Sequence, residues 1–293
     1  MKNRVNLRID FAFKQLFGTK GNEEILMRFL NEVLQKSLVS PITSVSLEDP
    51  HLHKEYKEDK LSIMDVRATL GTGELVNIEI QLANKHDIQK RSLYYWSKLY
   101  ASQMQEGMPY SELQKSITIN VLDFILYPNQ EHFQTTGILW DVEKELRISE
   151  DIEIHYIEMP KIITQWRDAQ VNPRQDSLVR WLLLLAANED QNLTDTLEAI
   201  AMEQDETLQK AIDKWDNMSH NQAFRREYEA REKVLLDEKA AVAHAEKKGI
   251  EKGREEERTQ IIQQMYDSGM TPQVIANIVK LTVEEVQCIL QLS

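Results

Sequence analysis

Residues 65–81 constrain the fold more than any other part of the chain. Asp65-Val66-Arg67-Ala68-Thr69-Leu70 and Glu74-Leu75-Val76-Asn77-Ile78-Glu79-Ile80-Gln81 are two strand-like runs joined by Gly71-Thr72-Gly73. Two such runs around a three-residue, glycine-bearing loop read as a β-hairpin. With Thr72 at the turn centre, opposed residues have numbers summing to 144, so Asp65 faces Glu79. Side chains alternate along a strand, so Gln81 shares the face of Glu79, while Val66, Ile78 and Ile80 point the other way. Two carboxylates that meet on one face repel each other and raise each other's proton affinity. No Lys or Arg occupies the third position of Glu79-Ile80-Gln81, so a divalent cation is the natural neutraliser. The alternative is an acidic pair on a solvated sheet face, screened by water.

Around this hairpin the pattern runs helix, sheet, helix. Helices are expected at about 10–18 and 22–34, a strand at 43–48, and a helix at about 87–105. Strands follow at 116–122, 135–141 and 152–159, with a buried helix at 177–187. Such alternation with a central mixed sheet is an α/β arrangement. Trp140, Trp166 and Trp181 read as packing residues.

Near the start, Phe11, Phe13, Leu16 and Phe17 form an apolar stripe that includes Lys14 and follows Asp10. Asp10 suits a helix N-cap. After the hairpin, Asp87 suits a cap for a helix that sets Arg91, Tyr94, Tyr95 and Lys98 on one side. A basic-aromatic stripe beside acidic residues suits phosphate contact and base stacking. The alternative is that the tyrosines pack on the sheet and the cations are solvated.

The ordered motifs resemble a known family. Asp59-Lys60, Asp65-Val66-Arg67 and Val76-Asn77-Ile78-Glu79-Ile80-Gln81 are similar to the recombination-promoting nuclease group of the PD-(D/E)XK superfamily, a nuclease-family transposase. The opening Asp10-Phe11-Ala12-Phe13-Lys14-Gln15-Leu16-Phe17-Gly18 resembles that group's first motif, followed by Ile25-Leu26 and Phe29-Leu30-Asn31. Further on, Arg91, Tyr94-Tyr95-Trp96, Lys98-Leu99-Tyr100, Gln103, Gly107 and Tyr110 keep its spacing. The resemblance covers about residues 8–185 and implies a restriction-endonuclease-like core, a mixed sheet flanked by helices, followed by an all-helical C-terminal region. It implies a metal-dependent DNA endonuclease with Asp65, Glu79 and Gln81 as catalytic residues and Asp65 and Glu79 holding Mg2+. Glutamine stands where many superfamily members carry Lys; its amide can orient water or bond a phosphate oxygen but carries no charge. Lys14, Arg91 and Tyr95 are the DNA-binding candidates, and Asp10 a candidate accessory acid. The implied role is DNA breakage that promotes recombination or transposition. The alternative is a non-catalytic nuclease-fold protein that binds DNA or assembles through its helical arm.

Composition bounds these expectations. The chain has 293 residues, 42% hydrophobic, enough to bury a sizeable core. Its single Cys288 excludes an intramolecular disulfide and suits a reducing cytoplasm. The longest apolar run, 181–187, is too short to span a bilayer. The net charge of −13 opposes phosphate binding over the whole surface. Locally, however, Lys85, Lys90, Arg91 and Lys98 face only Asp87 between residues 85 and 98. No P-loop and no nucleophile-elbow serine motif is present. His51-Leu52-His53 beside Glu55, Glu58 and Asp59 offers a transition-metal candidate, but it lacks further spaced His or Cys and reads as a polar loop.

Three parts are expected: a nuclease core at 1–187, a helical extension at 188–258 and a small tail at 259–293. Residues 224–258 interleave Glu, Lys, Arg and Ala as in a long solvated helix, in which Gly249 and Gly253 are candidate hinge or close-approach points. Thr271-Pro272 and Thr282-Val283-Glu284-Glu285 are helix starts, the second a capping box. The resulting helix-turn-helix-like tail has no Lys or Arg on its last helix, which favours an interaction bundle, and homodimerisation through these helices, over DNA reading.

Overall fold

The structure is a computed structural model that describes residues 4–49, 51–52, 62–63 and 65–291, with residues 51, 52, 62 and 63 described by backbone alone. The described chain divides into two compact units, residues 1–237 and 238–293.

The first unit is a mixed α/β fold. Helices α1 (Asp10–Phe17) and α2 (Glu23–Val33) precede strands β1 (Val45–Leu47), β2 (His51–Leu52), β3 (Ser62–Ile63), β4 (Val66–Leu70) and β5 (Leu75–Gln81). Helix α3 (Ile88–Ala101) leads to β6 (Ser116–Leu122), β7 (Gln134–Asp141) and β8 (Leu146–Glu158). Helices α4 (Met159–Arg167), α5 (Ser177–Leu184), α6 (Gln191–Gln204) and α7 (Glu206–His220) follow, and α8 (Gln222–Asp267) begins in this unit. Six strands form one sheet in the order β1-β4-β5-β6-β8-β7, and β2 pairs with β3 in a separate short ladder. The β1-β4-β5 and β8-β7 pairs are antiparallel, whereas β5, β6 and β8 run parallel.

The hairpin adopts the register its turn implies. Val66 pairs with Ile78, Arg67 with Asn77 and Thr69 with Leu75. Each glycine of the turn has a distinct reason. Gly73 has φ +105°, a left-handed conformation that suits glycine. A Cβ at Gly71 would lie 2.1 Å from Ser44 Oγ, because the turn presses on the start of β1 and Gly71 N–H bonds Ser44 O at 2.9 Å.

Central strand β5 is buried on both faces. Val66, Ile78 and Ile80 join Phe13, Leu16, Phe17, Phe29 and Leu30 in the main core between the sheet and helices α1 and α2. On the opposite face Asn77 and Glu79 lie beneath α3 and are also buried. The solvated-face alternative for the acidic pair is therefore excluded.

The first unit reaches well past residue 187. Leu193, Leu197, Ile200, Leu208, Ile212, Trp215 and Tyr228 share the main core with the sheet and helices α1 and α2. Helix α7 straps the N-terminal segment: Trp215 Nε1 donates to Val5 O at 2.8 Å and Val5 N–H donates to Ser219 Oγ at 3.1 Å. Arg4 lies over the Trp215 ring, 4.6 Å from its centroid, and pairs with Glu198 and Asp216.

Several local expectations are corrected. Trp181 is buried and Trp166 packs against the core, but Trp140 is 45% exposed on the β7–β8 hairpin and packs no core. Strand β8 starts at Leu146, earlier than expected, because its first half only pairs with β7 and lacks a buried face. Asp87 occupies the cap position of α3 without a side-chain capping bond. The charged run forms one helix, α8, which continues through Gly249 and Gly253, and among the described residues nothing lies within 4 Å of a Cβ placed at either.

The second unit holds the rest of α8 with α9 (Pro272–Val279) and α10 (Val283–Ile289), joined around Ile262, Ile275, Ala276 and Val286. Thr282 and Glu285 form the reciprocal capping box. Among the described residues, no helix is long and apolar enough to cross a membrane.

Candidate active site

Asp65 stands at the entry to β4 and Glu79 near the end of β5, where the hairpin register brings them side by side. Asp65 N–H points at Glu79 Oε1 at 3.3 Å, and Asp65 Oδ2 accepts from Ile80 N–H at 2.9 Å. The carboxylates share one end of the strand pair, as the sequence implied.

The cations that accompany them come from helices. Lys14 Nζ on α1 lies 3.0 Å from Asp65 Oδ1. Arg91, in the second turn of α3, reaches Glu79 Oε2 at 3.2 Å and Gln81 Oε1 at 3.4 Å, with its guanidinium 5.0 Å from the Tyr95 ring centroid. Lys14, Arg91 and Tyr95, which sequence singled out as DNA contacts, thus gather on the carboxylate pair. The inference that a metal alone neutralises the acids needs correction: each acid has a basic partner. Sequence did not reveal these pairs, because Lys14 and Asp65 are far apart in the chain and helix α3 had to be docked to aim Arg91.

This compensation is incomplete. Burial raises the proton affinity of Asp65 above the usual carboxylate range, although Lys14 and the Ile80 N–H oppose it. Burial and the neighbouring Asp65 charge push Glu79 up to about 8, against the opposing pull of Arg91 and Asn77. The bonds that Glu79 accepts are long, with Asn77 Nδ2 at 3.4 Å. Among the described residues, Asn77 Oδ1 and Arg91 Nε are buried here without a hydrogen-bond partner. Such a pocket is under-supplied with positive charge and with polar partners.

Asp10 is the first residue of α1, not its cap; Ile9 holds the cap position. Its Oδ1 accepts from Phe11 N–H at 2.9 Å, and both carboxylate oxygens take Arg231 of α8, the shortest contact being 2.7 Å. Burial opposes its charge, but Arg231 and then Lys14 hold its carboxyl below the usual value. Arg231 carried no local sequence signal.

Among the described residues the site offers oxygen donors without thiolate or imidazole, which fit a hard divalent cation of the magnesium type. Such an ion is commonly held by one or two carboxylates plus waters and substrate phosphates. Among the described residues, no group of three or more His, Cys, Asp or Glu is placed to hold a metal. Among the described residues, the oxygen donors gathered here are the carboxylates of Asp65 and Glu79. The Asp59-Lys60 part of the motif and the His51-Leu52-His53 candidate fall outside the residues whose side chains are described.

A family model described as PD-(D/E)XK nuclease family transposase matches residues 7–245, and the chain belongs to this family. Membership supports a nuclease- or transposase-like function, and nucleases of this type act on DNA and generally use divalent metal ions. Comparisons with curated proteins and with solved structures returned no match.

Proposed function

We propose that the protein is a Mg2+-dependent DNA endonuclease that hydrolyses phosphodiester bonds and promotes recombination or transposition. The observation that carries this reading is the buried, under-compensated pair of Asp65 and Glu79 at one end of the β4–β5 hairpin. These two carboxylates would hold the metal, which supplies an acidified water nucleophile and charge neutralisation at the scissile phosphate.

The remaining residues divide the work. Gln81 accepts from Arg91 through Oε1, which leaves its amide N–H groups to orient water or bond a phosphate oxygen. Arg91 offers a planar fork that suits phosphate, and its lean on Tyr95 fixes the direction of that fork. Lys14, 34% exposed, adds a positive charge from the other side of the pair. In this reading the reaction takes place in the cytoplasm, and the residue 259–293 tail serves association, so that a homodimer through the C-terminal helices presents two sites for two-strand breakage.

The ion pairs of both acids favour a second reading, in which Lys14 and Arg91 are permanent counter-ions and the protein binds DNA or assembles without cutting. One assay separates the two. Purified protein incubated with supercoiled plasmid is expected to yield nicked or linear product with Mg2+ and none with EDTA. Asp65→Ala and Glu79→Ala are expected to abolish the product while remaining folded. Cleavage that survives in both variants refutes the assignment.

A further inference from the structure

Helix α1 carries two groups one turn apart that lead toward the carboxylate pair. Lys14 sits 3.0 Å from Asp65 Oδ1, and Asp10, four residues earlier on the same helix, is within electrostatic reach of both Lys14 and Asp65. An Asp and a Lys at this spacing on a helix attract each other. Lys14 therefore has two acidic suitors, and what occupies Asp10 decides how far Lys14 is committed to Asp65.

Asp10 is occupied by Arg231. Arg231 Nε lies 3.0 and 3.2 Å from the two oxygens and one terminal nitrogen lies 2.7 Å from Oδ2, a two-pronged contact. The reach is prepared by packing. Phe224 stacks on Phe11 with ring centroids 4.9 Å apart, and buried Tyr228 accepts the Asn6 N–H at 2.9 Å through its hydroxyl. These contacts seat the first turns of α8 along α1, so Arg231 is not a loose surface side chain.

We propose that Arg231 is a positioning residue for the metal pocket: by neutralising Asp10 it reserves Lys14 for Asp65 and holds down the affinity of the site for a divalent cation. This rests on the reading of Asp65 and Glu79 as metal ligands. When Arg231 withdraws, Asp10 shares Lys14, Asp65 loses part of its counter-charge, and the pocket becomes more negative by up to one unit. A divalent cation then binds more tightly. Helix α8 is the element that carries this control, since Arg231 moves only with it.

The test is calorimetric titration of Ca2+ into EDTA-stripped, full-length protein, with thermal unfolding of each variant in EDTA as a check on folding. Ca2+ is an oxygen-seeking stand-in that reports binding without turnover. Arg231→Ala is expected to bind about five- to tenfold tighter than wild type, the scale of removing one screened charge some way from a divalent ion. Arg231→Lys, which keeps the charge, is expected to stay close to wild type. In an Asp10→Asn background the Arg231→Ala change is expected to raise affinity clearly less than it does with Asp10 present, because the carboxylate that competes for Lys14 is gone and only the direct repulsion by the Arg231 charge is lost. Arg231→Met, which keeps the packing stem, replaces the alanine variant if that one unfolds.

Unchanged or weaker Ca2+ binding in a folded Arg231→Ala or Arg231→Met protein overturns the proposal. So does an effect that persists undiminished with Asp10→Asn. Asp65→Asn and Glu79→Gln are run alongside. Ca2+ binding by wild type that both variants retain overturns the metal reading itself; binding lost in both, with no Arg231 effect, overturns only the role of Arg231.

Discussion

Two glutamates lie buried on opposite faces of the same sheet and live in opposite electrostatic worlds. Glu79 of β5 pairs in register with Asn120 and through it with Tyr156, on the α3 face. Glu153 of β8 pairs with Ile117, and so lies on the face that carries the main core. Burial penalises both. At Glu153 the penalty is overcome: His155 donates at 2.8 Å, Lys115 pairs at 2.7 Å and Arg147 at 3.3 Å, with Ser37 adding a bond, and the carboxyl is held down at about 2. At Glu79 the nearest donors stand at 3.2 Å or beyond and a second carboxylate adjoins, so the group is pushed up to about 8. The comparison separates a carboxylate that the fold uses from one the fold tolerates. The tolerated one is the ligand proposed above for a divalent cation.

The largest effect expected from this contrast is on stability. Glu153→Gln leaves Lys115 and His155 facing a neutral amide, and is expected to destabilise the protein by about 3 kcal/mol, the scale of breaking a buried ion pair. Glu79→Gln replaces a carboxyl whose charged form the metal-free fold disfavours, and is expected to leave stability unchanged or raised. Denaturant unfolding in EDTA compares the two. Equal destabilisation would erase the distinction.

Next in size is the pH dependence. Glu79 titrates near 8 in the fold against an ordinary 4.5, so the native state binds its proton more tightly. Its contribution to stability is full below about pH 4.5 and is lost as pH rises through 8. Glu153, lowered from 4.5 to about 2, contributes above pH 4.5 and loses that contribution as pH falls toward 2. Thermal unfolding of metal-free wild type and Glu79→Gln between pH 5 and 9 is expected to show the alkaline loss in wild type and its absence in the variant. Mg2+ binding is expected to strengthen over the same range as the competing proton leaves.

A smaller effect belongs to Arg91. Arg91→Ala removes an opposing charge from Glu79, and is expected to move the onset of metal binding to higher pH and to weaken DNA binding. Arg91 is about one-third exposed, so the loss of stability is expected to stay within about 1 kcal/mol. Calorimetry across pH and a salt-dependent DNA-binding titration check both halves.

The site's backbone was legible in sequence and its electrostatics were not. Two glycines at a three-residue turn set the register, and alternation then placed Asp65 and Glu79 together and sent Ile78 and Ile80 to the core. The helix limits at Asp10 and Ser177 followed from local apolar periodicity. The Lys14–Asp65, Arg91–Glu79 and Arg231–Asp10 pairs depend on how helices dock on the sheet, and no local pattern records that docking. The same holds for Glu153 and His155, which share one side of β8, and for α6 and α7, whose polar composition hid the apolar faces that bring Leu197, Leu208 and Trp215 into the main core. Trp140 misled because aromatic size suggests burial, whereas it lies on the exposed end of the β7–β8 hairpin.

Glu79→Gln, assayed side by side with wild type for Mg2+-dependent plasmid cleavage and for metal-free unfolding, tests the under-compensated carboxylate most directly. The expected result is a folded protein, at least as stable as wild type without metal, whose cleavage falls by about 10²-fold or more. A variant that cuts DNA as wild type does, or that unfolds like Glu153→Gln, would contradict the account.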